Sequence, residues 1–159
     1  MARLWSSGFE LQSVTAAMEF TAVVGSPTIS TSVKRSGAAS LRINPSATTQ
    51  AARMTFQADT INTTFHRFYI YIASATIANG KAIYTYQDSA SGNGWSVRMD
   101  TNRSLVLYNE AGANQVGSNS SALALNTWYC IEVRYVDSAE ATAELSCRID
   151  GAAAFASST

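Results

Sequence analysis

Short runs of alternating apolar and polar residues make up most of this chain, and clusters of Gly, Asn, Asp and Ser separate them. An alternation of two places successive side chains on opposite sides of a strand. Helical spacing is hard to find. The pattern predicts strands at 3–5, 17–24, 28–33, 39–44, 51–57, 65–73, 81–87, 94–100, 104–109, 127–136 and 143–149. The clearest, F-H-R-F-Y-I-Y-I-A, puts Phe68, Ile70 and Ile72 on one face and Tyr69 and Tyr71 on the other. In W-Y-C-I-E-V-R-Y-V, Tyr129, Ile131, Val133 and Tyr135 share a face and Glu132 and Arg134 oppose them.

Turn-forming residues fall between these runs, at Asn79-Gly80, Ser91–Gly94, Asp100–Arg103 and Asp137–Ala141. Many short strands with such turns imply two packed antiparallel sheets or a barrel. The expectation is one all-β sandwich domain over 1–159, without linker, repeat or low-complexity tract. Ala111–Ala122, rich in Gly, Asn and Ser, reads as an exposed loop.

Composition supports a folded chain. Hydrophobic residues are 47% and charged residues 14%, the reverse of a disordered composition. A chain of 159 residues buries roughly 70% of its unfolded surface, so folding needs neither metal nor disulfide. Eleven basic and eleven acidic residues are spread evenly, which gives no basic stripe for nucleic acid. Zero net charge tolerates self-association. No apolar run approaches the ~18 residues of a membrane helix. The N-terminus lacks the apolar stretch of a secretory signal.

Candidate chemistry is sparse. The single histidine, His66, cannot build a multi-histidine metal site and reads as a satisfied structural residue. Cys130 and Cys147 are not spaced as C-x-x-C. If 137–141 closes a hairpin they lie nearly opposite, yet strand parity sends their sulfurs to different faces, so no disulfide is expected. Phosphate-binding glycine motifs are absent. Asn62, Asn102 and Asn119 match the glycosylation pattern by chance in a Ser/Thr-rich chain. Trp5, Trp95 and Trp128 read as packing residues.

Several segments together carry a family resemblance. They are G-F-E (Gly8 to Glu10), R-S-G-A-A-S-L-R-I (Arg35 to Ile43), R-F-Y-I-Y-I (Arg67 to Ile72), G-W-S-V-R-M-D (Gly94 to Asp100), S-L-V-L-Y (Ser104 to Tyr108), L-N-T-W-Y-C-I-E-V-R-Y (Leu125 to Tyr135) and E-L-S-C-R-I-D-G (Glu144 to Gly151). Their order resembles the concanavalin A-like lectin/glucanase (LamG-like) jelly roll. The opening M-A-R-L-W-S-S-G-F-E also resembles phage virion and minor tail proteins that carry this domain.

The resemblance implies an antiparallel jelly-roll sandwich and leaves function open, because that fold hosts lectins, hydrolases and viral structural proteins. Family members continue past the D-G turn with further strands. This chain has only Ala152–Thr159 there, so the expectation is an open strand edge covered by a neighbouring chain. The E-x-D-x-E triplet of the glucanases is missing, so no catalytic residue is expected. Lectin-like sandwiches often bind calcium through loop acids, and Asp88, Asp100 and Asp137 are loop acids that ordinary turn formation also explains. No other cofactor is expected.

By strand parity Tyr69, Tyr71, Tyr84, Tyr86 and Tyr108, with Arg98, share one sheet face. Sugar rings stack on such a face. The competing reading puts the tyrosines in the core or in a subunit interface. The first expectation for function is a non-enzymatic structural or adhesion module of a phage particle (capsid decoration, head fibre or tail component), made in the host cytoplasm. It is expected to form a homo-oligomer, with a trimer preferred, and to contact other virion proteins and surface glycans. A carbohydrate-binding module is the alternative and a glycoside hydrolase the third reading.

Overall fold

A computed structural model describes residues 7, 9–14, 20–44, 51–53, 63–75, 81–87, 94–136 and 144–158, and no helix occurs among them. The chain divides into two compact units, Met1–Asp59 and Thr60–Thr159. The predicted strand 3–5 and the turns at 79–80, 91–93 and 137–141 lie outside the described residues.

In the smaller unit β1 (Ala22–Val24) pairs antiparallel with β4 (Ala51–Arg53), and β2 (Thr28–Ser30) with β3 (Ser40–Arg42). Phe20 and Ala39 are buried, and the Phe9 ring stacks on Phe20 with centroids 5.8 Å apart. Glu10 ties two distant segments together, since its Oε2 accepts the Ala38 N–H at 3.0 Å. Gly37, at φ 71°, has no Cβ to collide with that carboxylate. Glu10 of the G-F-E segment and Gly37-Ala38 of R-S-G-A-A-S, two segments behind the family resemblance, therefore meet in space.

The larger unit is an antiparallel sandwich. One sheet has the order β12-β11-β10-β5 and the other the order β6-β7-β8-β9. The strands are β5 (Thr63–Tyr71), β6 (Lys81–Gln87), β7 (Gly94–Met99), β8 (Leu105–Asn109), β9 (Asn114–Val116), β10 (Trp128–Val136), β11 (Glu144–Ile149) and β12 (Ala156–Ser158). The chain changes sheet between β5 and β6, runs as a meander to β9, and returns so that β10 lies between β5 and β11.

Alternation builds the core as expected. Trp95, Val97, Leu105, Leu107 and Ile131 are fully buried, and Val133 and Cys147 nearly so. Phe68, Ile70, Tyr129 and Tyr135 pack against them. On β10 Glu132 and Arg134 take the opposite side, as their spacing requires.

Two strands depart from the expected pattern. β9 lies inside the segment read as a loop. Only Val116 of its three residues is apolar, so no alternation announces it, yet Val116 is buried in the core. The rest of that segment is tied to β8 and its preceding turn: Ser120 N–H donates to Leu105 O at 2.9 Å and Leu123 N–H to Arg103 O at 3.2 Å.

β12 corrects the expectation of an open edge on β11. Asp150 and Gly151, both at positive φ, form a tight turn in which Ala152 N–H donates to Ile149 O at 3.0 Å. The turn brings Ala156 opposite Cys147, and the chain's own residues occupy the β11 edge from Leu145 to Cys147.

Gly117 sits where β9 leaves its sheet, at φ 64°, and a Cβ there would stand 2.9 Å from the Ala156 Cα. Both the backbone conformation and the contact forbid a side chain. Gly117→Ala is expected to lower unfolding free energy by about 2 kcal/mol. Urea denaturation followed by tryptophan fluorescence measures it; an unchanged midpoint would show that β9 and β12 do not approach this closely.

Candidate functional site

The residues singled out from the sequence come to rest in three places. Tyr69 and Tyr71 are on the outer face of the β5 sheet. Tyr84 and Tyr86 point into the sandwich interior. Arg98 and Tyr108 are on the outer face of the second sheet. The expected shared face of six residues therefore does not form.

A β-bulge explains the separation of the tyrosines. The β6–β7 register shifts between Ala82 and Tyr84, which brings Tyr84 opposite Val97 and Tyr86 opposite Trp95. An extra residue in one strand reverses the facing of everything beyond it. Uninterrupted pairing from Ala82 opposite Arg98 would have kept Tyr84 and Tyr86 outside.

Inside, the tyrosines surround the only histidine. His66 Nδ1 lies 3.1 Å from the Tyr84 hydroxyl and Nε2 lies 3.0 Å from Thr64 Oγ1. A neutral imidazole offers one donor and one acceptor, so both ring nitrogens are used. Its ring meets Trp95 nearly at right angles, with centroids 4.8 Å apart, and also contacts Tyr86. Phe68 stacks on Tyr84 at 4.3 Å. Burial pushes the His66 imidazole down to about 4 and raises the Tyr84 phenol. The Trp95 indole N–H is buried without a hydrogen-bond partner among the described residues. His66 is thus a satisfied structural residue.

On the outer face of the second sheet the Arg98 guanidinium lies 3.5 Å from the Tyr108 ring centroid. The same guanidinium donates to both Glu110 oxygens, at 2.9 and 2.8 Å, and to Ser96 Oγ at 3.1 Å. Ser96 Oγ in turn bonds Glu110. The charges on this face are spent on each other.

The outer face of the β5–β10–β11 sheet differs. Cross-strand register aligns Arg67, Glu132 and Arg148 in one row and Phe65, Arg134 and Ser146 in the next. Glu132 accepts from Arg67 Nε at 2.9 Å and from Arg148 Nε at 2.8 Å. These bonds, that to Arg67 foremost, hold its carboxyl below the usual range. Arg134 pairs with Glu144.

Phe65 and Tyr69 are exposed, at 55% and 39%. Tyr71 packs on Trp128 with centroids 5.3 Å apart, and its hydroxyl donates to Asn126 Oδ1 at 3.1 Å. A groove of about 540 Å³ lies over this face, rimmed by Ala152–Ala154 of the β11–β12 connection. The sequence pattern marks Tyr69 and Tyr71, and sets Glu132 and Arg134 on the outer side of β10, but passes over Phe65, Arg67 and Arg148, which alternation alone assigns to the same side.

Among the described residues no group of three or more His, Cys, Asp or Glu is placed to hold a metal ion. Asp88 and Asp137 lie outside the described residues. Asp100 acts as a turn former, with Oδ1 accepting the Thr101 N–H at 2.6 Å. Both cysteines are free, Cys147 buried and Cys130 half-buried, and burial pushes the Cys147 thiol up to about 12. Cys147 pairs with Val133 and Cys130 with Tyr69, so the two thiols face opposite sides of the sheet as parity required.

No known family model, curated protein or solved structure matches this chain.

Burial of neutral His66 makes stability depend on pH. The unfolded imidazole titrates near 6.5 and the folded one near 4, so between these values the unfolded chain alone takes up the proton. The contribution is fully present above pH 6.5 and is lost as pH falls towards 4, by about 3 kcal/mol. Urea unfolding at pH 7 and pH 4.5 is expected to show this loss, and His66→Gln to remove most of it. An equal slope in wild type and variant would assign the acid sensitivity to other groups.

Proposed function

We propose that this chain is a non-enzymatic surface-contact module of a phage particle, structural or adhesive, built on a concanavalin A-like jelly roll. The observation that carries the contact role is the outer face of the β5–β10–β11 sheet, where exposed Phe65 and Tyr69 stand beside projecting arginines. Aromatic and arginine side chains are the usual anchors of recognition surfaces. The particle assignment rests on the sequence resemblance alone.

Among the described residues, the surroundings of four acidic side chains support contact over catalysis. Glu132 lies between two arginines, Glu110 is held by Arg98, Glu144 by Arg134, and Asp150 Oδ1 by the Cys130 N–H at 2.7 Å. A glycosidase acid needs a carboxyl raised towards neutral pH, whereas that of Glu132 moves the other way. In this reading the chain assembles as a closed homo-oligomer, a trimer preferred, which leaves the aromatic face for its target.

A carbohydrate-binding module is the second reading. It is favoured by Tyr69 and the Tyr71–Trp128 pair on the same face, and weakened for Tyr84 and Tyr86 by their interior position.

Native mass spectrometry of the full chain is expected to show a trimer, and peptide mass spectrometry of purified particles to contain it. Monomer alone, absent from particles, would remove the particle reading. A glycan array at millimolar ligand that stays blank would remove the lectin reading.

A further inference from the structure

We infer that the groove on the outer face of β5, β10 and β11 binds an anionic saccharide, with a sugar ring on Phe65 and a carboxylate paired with the terminal amino groups of the Arg148 guanidinium. The inference rests on the surface-contact reading and narrows it to a class of ligand.

Charge standing at different heights makes the groove selective. The side chains of Arg67 and Arg148 are 65% and 52% exposed, whereas that of Glu132, which they share, is only 14% exposed, and Arg134 keeps its own partner in Glu144. The carboxylate therefore lies at the floor and the guanidinium groups stand above it. One Glu132 serves both Arg67 and Arg148, which leaves positive charge in excess along that row. Arg148 donates only through Nε among the described residues, so its two terminal amino groups remain for a ligand. A guanidinium with free terminal N–H groups matches a carboxylate with two parallel hydrogen bonds.

Three other occupants fit less well. A second copy of the same face would bring like charges together, which opposes association through this surface. An extended peptide adding as a strand would have to dock at the β5 or β12 edge, away from Arg148, because β10 and β11 lie inside the sheet and offer the groove their side chains. A neutral sugar would use the ring of Phe65 but none of the surplus positive charge.

An anionic sugar uses both. Phe65 lies directly opposite Arg134 in register, so an apolar ring and a guanidinium are cross-strand neighbours. Ser146, next in that row, offers a hydroxyl to a sugar hydroxyl. Ala152–Ala154 supply a wall of small side chains along the rim, and the groove's 540 Å³ suits a short oligosaccharide.

Titration calorimetry of the full chain with oligogalacturonate, its carboxyl-reduced counterpart and polyglutamate of equal charge tests the assignment. Arg148→Gln and Phe65→Ala change exposed positions, and their melting temperatures are checked against wild type. The charged saccharide is expected to bind at least about tenfold tighter than the reduced one. Each substitution is expected to weaken it by about tenfold or more.

Equal binding of charged and reduced sugars, indifferent to Arg148→Gln, would overturn the anionic assignment while leaving a sugar-contact surface. Polyglutamate binding as tightly, with Phe65→Ala silent, would overturn the saccharide in favour of an acidic protein. No binding by any of the three, in a chain that still assembles on particles, would overturn the inference and leave the particle reading intact.

Discussion

The larger unit depends on how β5 meets β6 across the sandwich. Where two aliphatic strands would simply interdigitate, this chain inserts a histidine and satisfies it. His66 bridges its own strand through Thr64 and the opposite sheet through Tyr84, with Trp95 against its ring. A buried imidazole is tolerable only while both nitrogens are partnered and the ring is neutral. The Tyr84 partner exists because the β6 bulge turns that residue inward, while Thr64 comes from β5 itself. One irregular residue in a ladder thus decides the polarity of the core.

The same irregularity marks the limit of what the sequence made legible. Where alternation ran unbroken, as in β5 and β10, both faces were correctly assigned residue by residue, and the opposed facing of Cys130 and Cys147 followed from counting. Tyr84 and Tyr86 alternate just as regularly. The core reading holds for them rather than the shared outer face that parity suggests, because the bulge precedes them and nothing in K-A-I-Y-T-Y advertises an extra residue. β9 and β12 were missed for another reason. N-Q-V and A-S-S carry almost no apolar signal and become strands because a ladder edge is available beside them. Tertiary context overrides weak local preference at edges.

The two outer faces of the sandwich use similar residues to opposite effect. On one, Arg98 is held by Tyr108, Glu110 and Ser96 together, and the group reads as closed. On the other, Glu132 is divided between two arginines and neither is saturated. Counting charges could not separate these cases, since both faces carry arginine and glutamate. Cross-strand register separates them, because it fixes how many partners each carboxylate must serve.

The two thiols give the molecule a pair of independent reporters. Cys147, with its sulfur in the core and its ionisation suppressed by burial, stays silent to alkylating reagents until β10 and β11 part. Cys130 lies on the other side, level with Tyr69. A dye attached there samples the groove-bearing surface while the sandwich stays shut, so opening and surface occupancy become separately observable in one unmodified sequence.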